Sequence, residues 1–245
     1  MASALLEVDN LGKRFGGFVA LDGISLSVAQ GERVGLIGPN GSGKSTLVNC
    51  VCGTLQNETG TVRFDGQLVD GLAAHKRTHR GMARSFQLPR PFTTMTVTEN
   101  LCIPLLYTAN TRRGGHLTSA EIAARCEELT GLVGLAAKAN KLPRDLTQVE
   151  MRKLELARAM AAEPKLLIAD EAMAGLSQSE VSDIVALLIK LNERGITIIL
   201  IEHIMRAVMS FSQRLVVLVS GKKIADGLPS DVVNNPEVIG AYLGQ

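Results

Sequence analysis

The chain has 245 residues, of which 46% are hydrophobic and 20% charged, so it can bury one full-sized core and has no length for two large domains in tandem. Its formal net charge of +2, from 26 basic and 24 acidic side chains, leaves no global field to mark nucleic acid or anionic lipid as a partner. The first ten residues, Met1 to Asn10, have no basic start and no long apolar stretch, so they do not read as a secretory signal and the chain is expected to be cytosolic. The longest apolar runs, Ile196 to Ile201 and Leu215 to Val219, fall far short of the roughly 20 residues that span a bilayer, so membrane contact is expected only through a partner. Cysteines 50, 52, 102 and 126 form no CxxC pair and read as reduced packing residues. Asn57-Glu58-Thr59 matches a glycosylation triplet that a chain without an export signal never uses.

In chain order, Leu5 to Val8, Ile24 to Val28 and Thr61 to Phe64 are short alternating or apolar segments bounded by turn residues, and they predict an antiparallel sheet. Arg33 to Ile37 differs: it is a short apolar run that ends in a glycine-rich turn and then a helical pattern from Lys44 to Cys52, a buried strand feeding a helix. His75 and His79 have helical i, i+4 spacing among Lys76, Arg77 and Arg80, with no acidic third ligand, and read as a solvated basic face rather than a metal site. Between about 89 and 162 the pattern favours helices, notably Ser119 to Leu132, capped by Thr118 or Ser119 with Glu121 near its start, and Gln148 to Ala162, with Pro164 marking its end. Buried-strand segments return at Leu166 to Ala169, Ile196 to Ile201 and Leu215 to Val219, with helical stretches at 178–193 and 203–210 between them. The predicted fold is one α/β domain over residues 1–245. Its core covers about 1–88 and 163–245, opens with an antiparallel β subdomain, and carries an inserted helical subdomain at about 89–162.

Two motifs carry the chemistry. Gly38-Pro39-Asn40-Gly41-Ser42-Gly43-Lys44-Ser45-Thr46 fits G-x-x-x-x-G-K-[ST], after an apolar strand and before a helix, which is the context that the motif requires. The glycines let the backbone curl so that its N–H groups face a phosphate, the helix start adds positive potential, Lys44 reaches the β- and γ-phosphates and Ser45 coordinates Mg²⁺. About 120 residues later, the apolar run from Leu166 ends in Asp170 and Glu171. Alone, such a pair is more often a solvated turn; beside a phosphate loop, Asp170 is expected to hold the Mg²⁺ shell and Glu171 to orient or deprotonate the attacking water.

The order of these motifs resembles ABC transporter ATP-binding subunits along nearly the whole chain, and implies a P-loop NTPase (RecA-like) core that binds ATP and Mg²⁺. By that resemblance Phe15 stacks on adenine, worth roughly 1 kcal/mol, although a core aromatic is the alternative. Gln87, in Arg84-Ser-Phe-Gln, is similar to the glutamine that senses Mg²⁺ and the attacking water. His203 is similar to the switch histidine that contacts the γ-phosphate. Gly81 to Gln87, Met95 to Leu101, Ile201-Glu-His and Ala241-Tyr-Leu-Gly resemble ATPases of branched-chain amino acid importers. That subfamily implies a second ATPase subunit, in a heterodimer or alternatively a homodimer, and two transmembrane permease subunits. An extracytoplasmic solute-binding protein feeds them, and nucleic acid is no partner. The place of work would be the cytoplasmic face of the inner membrane. An exporter ATPase for lipid or polysaccharide shares every catalytic residue and is the alternative; a soluble ABC protein acting on ribosomes or DNA usually needs tandem domains or long coiled coils.

The sequence departs from the family where Leu-Ser-Gly-Gly-Gln is expected, because this chain has Leu146-Thr147-Gln148-Val149-Glu150. Thr147 keeps the hydroxyl that the family presents to the γ-phosphate held by the opposite subunit. Gln148 and Val149 place side chains where glycine allows close approach, which predicts a poorer anion cradle. Ala172 stands for the usual proline, and Ser177 for a frequent aspartate. An asymmetric pair of sites is the resulting expectation.

Overall fold

The computed structural model describes residues 4–85, 89–112, 114 and 117–243. In chain order the strands are β1 (Ala4–Phe15), β2 (Phe18–Ala29), β3 (Arg33–Ile37), β4 (Thr59–Phe64), β5 (Gln67–Leu68), β6 (Met82–Ser85), β7 (Leu166–Asp170), β8 (Thr197–Ile201), β9 (Arg214–Val219) and β10 (Lys222–Gly227). The helices are α1 (Lys44–Cys52), α2 (Ala74–His79), α3 (Val97–Pro104), α4 (Ser119–Leu132), α5 (Gln148–Ala161), α6 (Gln178–Glu193), α7 (Met205–Phe211), α8 (Pro229–Val233) and α9 (Pro236–Leu243). Two compact units share the chain, one from residues 1–77 and 188–245, the other from 78–187.

In the first unit, β2, β1, β4 and β5 form an antiparallel sheet in that order. Leu6 and Val8 on β1 are buried beside Phe64 and Val62 of β4, as the alternating pattern requires. The second sheet of this unit places β3 between β8 and β9, parallel to both, with β10 antiparallel on β9. A strand flanked on both sides and covered on both faces must be apolar throughout, which explains why Val34, Leu36 and Ile37 are all buried. Val208 of α7, Val232 of α8 and Val238 of α9 pack with Ile37, Leu215 and Val217. Arg214 fixes β9 electrostatically. It donates to both Glu32 carboxylate oxygens at 2.6 and 3.1 Å, to Asp226 Oδ1 at 2.6 Å and to the Ser27 carbonyl at 2.6 Å. Those carboxylates, Glu32 first, raise its pKa further above the usual arginine value.

Arg77 corrects the reading of residues 75–80 as a solvated basic face. It is buried, and its guanidinium donates to the Cys50 and Val51 carbonyls at 2.9 and 2.6 Å and to Leu72 O at 3.0 Å. The last turn of a helix leaves carbonyls without N–H partners, and a cation there satisfies them and the helix dipole together. The basic cluster therefore contributes a cap for α1.

The second unit pairs β6 and β7 in parallel and packs α3, α4 and α5 beside one another. Each of these helices begins with a capping box: Thr96 with Glu99, Thr118 with Glu121, and Thr147 with Glu150. Asn100, fully buried on α3, binds the Phe92, Met95 and Thr96 carbonyls and the Phe92 N–H, which sets the loop ahead of that helix. Pro104, at the end of α3, has no N–H to donate, and the chain continues as a π-helical segment over Leu105–Asn110. Arg112 then donates to the Thr78, His79, Ala162 and Glu163 carbonyls at 2.7–3.1 Å, capping the C-terminal ends of α2 and α5 at once. Cys102 and Cys126 bring their sulfurs to 3.4 Å between α3 and α4, and burial, then the bond to Cys102, pushes the Cys126 thiol up to about 12.

Candidate nucleotide site

The phosphate loop leaves the C-terminal end of β3, where α/β sheets commonly bind ligands. Gly38 has φ +152°, and a β-carbon there would lie 2.1 Å from the Leu218 carbonyl oxygen, so only glycine lets the loop pass β9. Gly43 has φ +103°, and a β-carbon there would lie 2.7 Å from the Ala20 carbonyl oxygen. The loop is fixed from outside by Gly221 N–H donating to the Ser42 carbonyl at 3.0 Å. Pro39 and Thr46 are half-buried, Ser42 is buried, and Asn40, Gly41 and Ser45 are exposed.

Helix α1 begins at Lys44 with Gly43 as its cap, no side chain bonded to the cap position and no acid in its first turn. The positive end of its dipole therefore meets no acidic side chain of its own first turn, which suits an anion. The Lys44 ammonium lies over the loop and donates to the Gly38 and Pro39 carbonyls at 2.7 and 3.0 Å and to Ser42 Oγ at 3.3 Å. Phe15, at the end of β1, is no core residue: it is 50% exposed, paired across the hairpin with Phe18, and has Lys13 Nζ 5.6 Å from its ring centroid. A half-exposed aromatic ring at a strand end suits stacking against a flat base. His203 follows β8 and is also exposed, with Nδ1 4.0 Å from the buried Glu202.

In the second unit, β7 delivers Asp170 to its C-terminal end behind Leu166, Leu167, Ile168 and Ala169, none of which has exposed surface. Asp170 Oδ2 accepts from Arg84 Nη2 at 2.5 Å. Glu171, the next residue, is half-buried and adopts φ +46°, a left-handed conformation that costs a non-glycine residue about 1–2 kcal/mol. That turn directs the chain away from the strand. Gln87 lies outside the described residues.

The departure at 146–150 has a structural form. Thr147 caps α5 through its hydroxyl, and Glu150 Oε2 accepts from the Thr147 N–H at 2.8 Å and from Lys138 Nζ at 2.7 Å. Lys138, then the Thr147 N–H, hold the Glu150 carboxyl below the usual glutamate range. Gln148 reaches over Gly175, its Nε2 2.7 Å from where a β-carbon on that glycine would be, and donates to Ala174 O at 3.5 Å. Arg152 donates to the same carbonyl at 3.2 Å. Where α1 begins open, α5 begins with its own carboxylate in place. Ser177 starts α6 in the same manner, exchanging bonds with Glu180.

Sequence reasoning missed Arg84 as the partner of Asp170, because only the pairing of β6 with β7 brings the two together. It also missed Lys138, twelve residues ahead of Glu150 and separated from it by two short turns.

A glycine-rich strand-to-helix loop with a lysine over its mouth and an uncapped helix behind it defines a nucleotide-binding ATPase of the phosphate-loop class. Residues 21–174 match the ABC transporter family model, and residues 222–245 match the branched-chain amino acid ATP-binding cassette transporter model. The chain belongs to the ABC transporter family, among its ATP-binding subunits. It is 40% identical to the high-affinity branched-chain amino acid transport ATP-binding protein BraF of Pseudomonas aeruginosa, over 100% of both chains. It is 37% identical to LivG of Escherichia coli, again over 100% of both. Among solved structures, the ADP conformation of MJ1267, an ATP-binding cassette of an ABC transporter, superimposes with a TM-score of 0.89 at 31% identity over 100% of both chains. A dimeric post-hydrolysis state of the cassette MJ0796, bound to ADP and Pi, gives 0.80 at 26% identity, covering 91% of this chain and 98% of that one.

Proposed function

We propose that this chain energises uptake of branched-chain amino acids or a related small polar solute. It would work at the cytoplasmic face of the inner membrane beneath two permease subunits, with an extracytoplasmic solute-binding protein delivering the cargo. The observation that supports this reading is the full-length likeness to relatives named for that transport. The test is uptake of labelled leucine by cells lacking the chain, restored by the unaltered gene. Restoration of a different solute's uptake, with leucine uptake normal throughout, would reassign the cargo.

In this mechanism Phe15 stacks on adenine, and the N–H groups of residues 38–46 hold the phosphates. Lys44 exchanges its loop carbonyls for β- and γ-phosphate oxygens. The Ser45 hydroxyl and Asp170 carboxylate are hard oxygen donors that suit Mg²⁺, and Gln87 joins them; when bound, the ion neutralises charge on the phosphate oxygens. Glu171 orients or deprotonates the attacking water, and His203 contacts the γ-phosphate. Binding closes two ATPase subunits on each other and hydrolysis reopens them, which moves the permeases.

The second ATPase is a different chain, and the two sites are unequal. A partner with an intact signature closes over Lys44, Glu171 and His203 of this chain, while Thr147 to Glu150 close weakly over the partner's nucleotide. The capping carboxylate at α5 supports this: it already accepts a helix-start N–H and adds negative charge beside a would-be phosphate. In a reconstituted heterodimer, Glu171→Gln should lower turnover about 100-fold or more, in the range for loss of a general base. The matching substitution in the partner should leave most of it. Loss of activity through the partner's glutamate alone would refute the asymmetry.

A further inference from the structure

The Arg84–Asp170 pair is the feature that the nucleotide mechanism leaves unused. Asp170 ends a strand whose other four residues have no exposed surface, and an ionised carboxylate there is costly without a compensating charge. Arg84 supplies it. The two side chains are 15% and 10% exposed, and the bond is a charge-assisted one at 2.5 Å. The fold enforces the meeting, since β6 runs parallel to β7 with Arg84 opposite Ile168 and Ser85 opposite Ala169, two and one residues before Asp170. Arg84 also lies three residues ahead of Gln87.

We propose that Arg84 is a positioning residue for the metal step. It holds Asp170 in one orientation while no ion is bound, and it remains as a competing cation when the Mg²⁺–nucleotide arrives. With Oδ2 engaged by Arg84, Asp170 offers the metal's shell its other oxygen. The affinity for the divalent ion is thereby held lower than the acid alone would give, which favours release of the ion with ADP. This rests on the reading of Asp170 as the Mg²⁺ acid.

The experiment titrates Mn²⁺ into the purified chain with ADP and follows free Mn²⁺ by electron paramagnetic resonance. Arg84→Gln keeps a hydrogen-bond donor and removes the charge, and should tighten Mn²⁺ binding about tenfold, the scale for removing one nearby like charge. Arg84→Lys keeps the charge and should stay within about twofold of the unaltered chain. ADP binding in EDTA should be equal in all three, which certifies the fold. Arg84→Met serves in place of the glutamine variant if that one does not fold. Unchanged or weaker Mn²⁺ binding in the uncharged variants, or equal tightening in the lysine variant, overturns the proposal. Asp170→Asn separates the two levels: if it does not weaken Mn²⁺ binding, the assignment of Asp170 itself has failed.

Discussion

A β-carbon on Gly38 would stand 2.1 Å from the carbonyl oxygen of Leu218, so the phosphate loop and β9 are in contact at backbone level. Gly38→Ala must therefore move a strand, and it also strains a φ of +152°. The expected loss is at least about 3 kcal/mol, from overpacking plus strain. Gly41 has φ +76° with nothing within 4 Å of an added β-carbon, so Gly41→Ala should cost only about 1–2 kcal/mol. Urea denaturation of the two variants checks the order; equal costs would mean that the contact with β9 relaxes freely.

Phe15 is half-exposed on the β1–β2 hairpin, and its removal leaves no cavity in the core. Phe15→Ala should weaken ATP binding about fivefold, corresponding to roughly 1 kcal/mol of stacking, with little change in melting temperature. Equilibrium binding of a fluorescent ATP analogue measures it. An unchanged affinity would assign the adenine platform to another side chain.

Folding lowers the pKa of Glu150 through Lys138 and the Thr147 N–H, so its ionised form stabilises the native state. That contribution is fully present above the ordinary glutamate value of about 4.3, and it is lost as pH falls through the depressed native value. Glu150→Gln should be less stable by about 0.5–1 kcal/mol at neutral pH, the scale of a partly exposed pair. The gap should close under acid conditions as the native carboxylate takes up its proton. Denaturation of both proteins across the acid range tests this, and a gap independent of pH would point to packing instead.

Arg112 bonds four helix-terminal carbonyls from an exposed position. Arg112→Ala should cost about 1–2 kcal/mol, modest because water replaces part of what is lost. The effect should concentrate in faster amide exchange at the last turn of α5. Arg112→Lys should recover only a fraction, since an ammonium cannot match the planar fork.

The sequence foretold best those elements whose ends are marked by local chemistry. Lys44 to Cys52 and Ser119 to Leu132 coincide with α1 and α4, the first opened and closed by glycine and the second opened by a Thr118–Glu121 box. β3 was legible because a strand buried on both faces has to be uniformly apolar. β6 was not, being four residues of Met-Ala-Arg-Ser with no β-branched side chain, made a strand by its neighbour β7. α3 carried a readable Thr96–Glu99 box but is short, ending at Pro104 where the backbone turns π-helical. In the site, the phosphate loop and the acidic pair announce themselves through spacing. Arg84, Arg77 and Lys138 act across distances in the chain that no local pattern encodes.

The first unit is assembled from two distant stretches, and β3 is hydrogen-bonded only to strands from the second of them: Arg33 lies opposite Ile198, and Val34 opposite Arg214. The ribosome thus delivers the phosphate loop early and its walls last, whereas residues 78–187 are contiguous and can settle in between. A nascent chain halted before Leu218 has the nine loop residues in sequence but lacks both the Leu218 carbonyl that Gly38 packs against and the Gly221 N–H that ties the Ser42 carbonyl.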